Sequence, residues 1–424
     1  MVDFPVTNDL DHRRCLVGGE PMLFHCHHYN TFLQRTIAED APIVQSEPFL
    51  VGAAAEVAFA QLRTVFAELS LAAVDERKSV AQQLYRWAGF GTFDLGPLTP
   101  EGGRVETPHA HYAMAWKAKF GVSSRPVCQF SSGWLAGAAA AIFDKPLGSF
   151  SVRQTTCPSV PDHDTATFEL ESGQANYSIF ESVGAGTLTN HVPLSVTTPN
   201  VDYEGILDAL SKMPIEGDER GMIPAFGVYL TRHYGNYYNR ISFEFLNALT
   251  RELGSTGADV AAPLLVEAGH VCAFNTFGGI MTSPEWEALI QPTLKSQEDW
   301  VHGIVACVNA LGWGRWQVRN VSERSAEFVI HDDYESSGYR SMYGHSPRPV
   351  SFLAQGAAAG IMNLVYHGEV ASRPAFTAEY YQRLFKSSGS YGATPISSGA
   401  MGHARTEFAV ERADHQWDLL PKAS

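Results

Sequence analysis

Three imidazoles and a thiol stand side by side at His25, Cys26, His27 and His28. These are borderline-soft donors, so the run could hold a transition metal such as Zn²⁺ or Fe²⁺. Equally, a thiolate with an adjacent base is a nucleophile. Backbone geometry divides the two readings. On a strand, Cys26 and His28 share one face and His25 and His27 the other; on a helix, His25 and His28 align. A thiol at a helix start would have its thiolate stabilised by the positive helix end. The expected metal set is therefore His25, Cys26 and His28, and the expected catalytic set Cys26, His27 and His28. Cys26 is expected to be more reactive than Cys15, Cys272 or Cys307. The bland alternative is a polar helix start with capping or exposed histidines.

A second group, His109, His111 and Trp116, falls on a helix predicted over 109–120, with Trp134 on the next helix. Aromatic rings beside imidazoles suit a pocket for a small planar ligand. Core aromatics with surface histidines are the plainer reading.

The elements that position these residues are written twice. Arg125–Pro126–Val127 returns as Arg348–Pro349–Val350, an offset of 223 (348 − 125), and Gly89–Phe90–Gly91 returns as Gly312–Trp313–Gly314 at the same offset. Tyr29–Asn30 answers Tyr238–Asn239 at 209 (238 − 29). Three anchors in one order indicate a tandem duplication. On the 209 offset the His/Cys run faces Tyr234, Gly235, Asn236 and Tyr237, so the cluster belongs to one copy. Each copy also carries glycines four apart, Gly133/Gly137 and Gly356/Gly360, which on a helix let another backbone approach one face.

Helices are expected over 31–39, 46–70, 75–87, 109–120, 206–213, 237–254, 258–278 and 283–311. Strands are expected over 89–96, 102–107, 150–155, 165–170, 174–180, 186–198, 316–320, 325–330 and 404–411. The organisation that follows is an arm over 1–20, a first unit over 21–200 with its core at 80–171, and a linker over 201–221. A second unit over 222–412 has its core at 300–411, and a tail covers 413–424. The fold class is α+β, two tandem units with helices packed on an antiparallel sheet.

Hydrophobic residues make up 45% and charged residues 18%, a globular composition. A formal net charge of −15 disfavours nucleic acid and anionic membrane as partners. No apolar run of membrane-spanning length and no leader-like segment is evident, and six scattered cysteines make no disulfide framework, so a cytoplasmic protein is expected. A homodimer is compatible with all of this.

Gly103–Arg104–Val105–Glu106, Arg125–Pro126–Val127–Cys128, Gly133–Trp134–Leu135–Ala136–Gly137 and Cys157 resemble the 4-vinyl-reductase-type, or hydrocarbon-binding, domain. That resemblance implies a fold like the TRAPP subunits and an enclosed pocket for a small apolar or aromatic molecule. It also implies a structural zinc, here degenerate, held by Cys128, Cys157 and His163 or Asp164, with Gln154 in place of a glutamate. In the second copy, Ala400–Met401–Gly402–His403 echoes a family loop, but Ser351, Ser398 and Thr406 replace the cysteines.

The leading expectation is a small-molecule enzyme on an apolar or aromatic substrate, armed by the His/Cys cluster with iron or zinc, or with Cys26 as nucleophile. The alternatives are a non-catalytic binding or sensor protein for aromatic ligands, and a structural scaffold.

Overall fold

The computed structural model describes residues 4–184, 198 and 200–413. The chain opens with β1 (Val6–Asp9), β2 (Arg14–Val17) and β3 (Glu20–Cys26), followed by α1 (His27–Glu39), α2 (Glu47–Glu68) and α3 (Val74–Trp87). Then come β4 (Gly102–Thr107), α4 (His111–Phe120), α5 (Gln129–Ile142), β5 (Phe150–Thr156) and β6 (Ala166–Ser172). A connection bearing α6 (Tyr203–Ser211) and β7 (Ile223–Ala225) leads to β8 (Val228–Tyr234), α7 (Gly235–Leu253) and α8 (Thr256–Cys272). After a π-helical turn over Ala273–Phe277 come α9 (Gly278–Met281), α10 (Pro284–Leu289) and α11 (Gln297–Ala310). The chain closes with β9 (Arg315–Arg319), β10 (Ser325–His331), α12 (Tyr334–Tyr343), α13 (Phe352–Met362), α14 (Ala378–Phe385), β11 (Tyr391–Ser397) and β12 (Thr406–Arg412).

The fold is α+β, and its order of elements repeats. Helix α12 begins and ends 223 positions after α4, and both stop at a glycine with positive φ, Gly121 at 79° and Gly344 at 84°. That left-handed step is what glycine supplies without steric cost. Strands β5 and β11 even share an irregularity in register, between Gln154 and Thr156 and between Pro395 and Ser397. All strand pairs are antiparallel, in sheets ordered β4-β6-β5, β11-β12-β10-β9 and β1-β2-β3-β8-β7.

The third sheet joins the two copies. Phe24 pairs with Arg232, and the register runs symmetrically outward from that pair, Cys26 opposite Leu230 and Met22 opposite Tyr234. Because Phe24 and Arg232 are also equivalents at an offset of 208 (232 − 24), a pseudo-twofold axis passes between them. Each strand also bonds the other copy: Phe24 N–H donates to Leu311 O at 2.9 Å and Arg232 N–H to Ala88 O at 2.8 Å, with the two acceptors 223 apart (311 − 88).

The repeated glycines sit where backbones touch. A Cβ on Gly133 would fall on the Val51 carbonyl, and one on Gly137 on that of Ala55, so α5 lies directly on α2; Gly356 meets Val266 of α8 in the same way. Two helical stretches, Glu47–Glu68 and Thr256–Met281, are long and apolar enough to cross a membrane, contrary to the sequence reading. In this fold they are the helices against which α5 and α13 pack, 72% and 56% buried. Their interspersed polar residues break the apolar runs without lowering the helix-long average.

Other expectations shift. Within the arm expected over 1–20, β1 and β2 form a hairpin that extends the central sheet. Residues 89–96 form one isolated bridge, Gly91 to Ala110, and 174–180 form no strand, since Asn176 bonds Val152 by its side chain instead. The segment read as linker carries α6, N-capped by Asp202. Strand β11 was not foreseen. The strand expected over 186–198 lies outside the described residues except for its last position, and the tail outside them except for Ala413.

Candidate ligand site about the pseudo-twofold axis

The cross-strand register puts Leu23, His25, Thr231 and His233 on one face of the β3–β8 pair, and Phe24, Cys26, Leu230 and Arg232 on the other. The two histidines are equivalents (233 − 25 = 208), so the cluster is not wholly private to the first copy. The anchor at 209 placed it one residue out of register.

Both rings are fully buried. His25 stacks between Tyr29, centroids 4.4 Å apart, and Trp313, 4.6 Å apart. His233 stacks on Tyr237 at 4.9 Å and meets Phe90 edge-on. Trp313 and Phe90 are equivalents at 223. Tyr238 lies between the histidines, 4.8 Å from His25 and 4.4 Å from His233. Its hydroxyl donates to Asn30, whose amide reaches His111 Nε2 and Thr231 Oγ1, both at 3.0 Å. Burial holds His25 and His233 neutral, with pKa values well below the usual imidazole range, and drives His111 to about 3.

The two nests differ at both ring nitrogens. His233 Nδ1 accepts from Tyr234 N–H at 2.9 Å, so its proton sits on Nε2, 2.9 Å from the Tyr112 hydroxyl. At the equivalent of Tyr112 the second copy has Glu335, which turns away to accept Leu353 and Ala354 N–H at the start of α13. Among the described residues His25 Nε2 is therefore buried without a partner, while its Nδ1 lies 3.5 Å from Cys272 Sγ. A Cys–His pair thus exists, but it joins α8 to β3 across 247 positions, and no local spacing announces it. Burial raises the Cys272 thiol well above its ordinary value.

The expected metal and nucleophile sets do not assemble. Cys26 is buried, which raises its thiol pKa despite its place at the start of α1: desolvation outweighs the helix end. The rings of His27 and His28 lie against each other, centroids 3.9 Å apart and tilted by 37°, while His25 faces the aromatic nest. Among the described residues no three His, Cys, Asp or Glu side chains gather so as to hold a metal ion. Cys128 and Cys157 do meet, Sγ to Sγ 3.8 Å, with Ser159 Oγ 3.1 Å from Cys157, but His163 stays half-buried outside the pair and does not complete a ligand set. In the second copy Ser351, Ser336, Thr406 and Asp333 form a hydroxyl–carboxylate network at this corner.

The expected ligand-binding four are dispersed. His109 lies in the turn before α4, where Thr107 engages its backbone; His111 belongs to the Asn30 network; Trp116 packs on Phe120. Trp134 is core, its ring 4.6 Å from Tyr85 and its Nε1–H donated to the Tyr234 hydroxyl at 3.0 Å.

On the opposite face of the β3–β8 pair lies an apolar cavity of about 30 Å³. Phe24 and Leu230 form its floor, Phe226, Ile280, Cys307, Ala310 and Leu311 its walls, and Leu210 and Ile215, at and after the end of α6, its rim. The Arg232 guanidinium closes the axis side, stacked on Phe24 at 4.4 Å and on Trp87 at 4.5 Å, and donates two bonds to Ile215 O.

No protein-family model and no curated protein matches the chain. Among solved structures, it is similar to the phenol-responsive sensory domain of the transcription activator PoxR with phenol. The identity is 13%, over 50% of this chain and 90% of that one, with a TM-score of 0.35.

Proposed function

We propose that the chain is a non-catalytic binding protein of the hydrocarbon-binding kind, taking a small apolar or aromatic molecule beneath α6. The observation that carries this is the cavity on the axis, whose nine lining residues are all apolar. Such a site stays dry and gains by taking an apolar guest. An engineered apolar cavity of about 150 Å³ accepts benzene, so the present space admits a ring only as Leu210 and Ile215 withdraw. The rim is suited to that. Helix α6 is short and tied down by few polar contacts, Tyr203 to His302 at 2.9 Å and Glu204 to Arg13 at 2.6 Å. The buried Cys26 thiol and the divided histidines favour binding over catalysis.

The test is thermal melting of the protein with benzene, toluene and phenol, repeated on Ala310→Phe, which fills the cavity from a partly exposed position. At least one probe should raise the melting temperature of the natural chain, and the variant should lose that shift. No shift with any probe, or an equal shift in the variant, removes the proposal.

A further inference from the structure

The His27–His28 pair, unused by the cavity, borders the end of α4. There the half-buried Lys119 runs between two phenyl rings, its Nζ 5.4 Å from the Phe32 centroid and 5.6 Å from that of Phe120. Nζ donates to His28 O at 3.2 Å, and no carboxylate pairs with it among the described residues. His27 Nδ1 lies 3.2 Å from Tyr229 N and 3.3 Å from Tyr229 O, and the His28 ring nitrogens have no hydrogen-bond partner among the described residues. A lysine amine in apolar surroundings without a counter-ion is a nucleophile in waiting.

We propose that Lys119 is a reactive amine that captures a small aromatic aldehyde as a Schiff base, at a site separate from the apolar cavity. The Nζ lone pair attacks the carbonyl carbon, forming the C–N bond while the carbonyl electron pair moves to oxygen. Both Nζ hydrogens then leave, the oxygen departs as water, and a C=N bond remains. Nothing is oxidised or reduced, and no co-reactant is needed. The phenyl rings of Phe32 and Phe120 favour an aromatic aldehyde over a polar one. The ionisable groups facing Nζ are His27, His28, Cys26, Cys272 and Arg35; burial is the main reason that its pKa falls to about 8.

The experiment treats the full chain with benzaldehyde at neutral pH, traps the imine with borohydride and maps the adduct by peptide mass spectrometry. Lys117, exposed on the same helix, is the internal reference. A pKa near 8 against the ordinary 10.4 gives on the order of a hundredfold more free amine, so Lys119 should label at least ~10-fold faster than Lys117. Its rate should level off above pH ~8, and Lys119→Arg should remove the fast-labelling site. Labelling of Lys119 no faster than Lys117 overturns the proposal. That comparison needs no variant, so a misfolded Lys119→Arg would not obscure it.

Discussion

His25 and His233 occupy equivalent places on paired strands, 208 positions apart, yet only His233 has both ring nitrogens hydrogen-bonded. The difference traces to one residue, Tyr112 in the first copy against Glu335 in the second. Duplicated scaffolds diverge at such points, where one exchange alters a buried partner without disturbing the backbone.

The two histidines should therefore respond oppositely to the same change. His25→Phe removes a buried nitrogen with no partner and keeps the stack between Tyr29 and Trp313, so stability should stay within about 1 kcal/mol or rise. His233→Phe strands the Tyr112 hydroxyl and Tyr234 N–H, a loss of about 1–3 kcal/mol. Urea denaturation of both variants at neutral pH measures the contrast; equal losses would refute it.

Acid should unfold the protein early. Folded-state pKa values of His25, His233 and His111 lie below the unfolded value, so the unfolded chain binds more protons as pH drops. Their contribution is complete above pH ~6.5 and shrinks below it, by about 1.4 kcal/mol per pH unit for each histidine. Denaturation curves between pH 8 and pH 5 should show this slope, and His25→Phe should reduce it by one proton.

The sulfur pair offers a third check. Cys157 takes hydrogen bonds from Cys128 and Ser159, which favours its thiolate and lowers its pKa to about 6. Cys128→Ala withdraws the thiol donor, the larger of the two influences, and should raise the Cys157 pKa, so thiolate ultraviolet absorbance at neutral pH should fall. Cys128→Ser, which keeps a donor, should recover much of it. Absorbance unchanged in the alanine variant would mean that the pair is not coupled.

Much of the scaffold was legible because the duplication repeats backbone devices as well as side chains. Gly121 and Gly344 close equivalent helices, and Gly133 and Gly356 mark equivalent backbone contacts. The site was less legible. Tyr29–Asn30 and Tyr238–Asn239 share a dipeptide at 209, whereas strand pairing fixes the register at 208, and that single step hid the kinship of His25 and His233. Nor does composition show that Cys26 faces the interior, where burial reverses the reactivity expected of a thiol at a helix start. Strand β11 escaped notice because Gly392 and Pro395 interrupt its alternation. Lys119 carried no motif at all: its setting is made by α1, almost a hundred residues earlier.

The reciprocal bonds from Phe24 to Leu311 and from Arg232 to Ala88 also bear on how the chain is made. Strand β3 leaves the ribosome some two hundred residues before β8, a wait of roughly 10–40 s at ordinary synthesis rates. Through that interval the hairpin of β1 and β2 guards one edge of β3, while the other presents open N–H and C=O groups to any passing strand. Each half closes on backbone supplied by the other. Until β8 emerges, the proper partner of that open edge is sequence still to be translated.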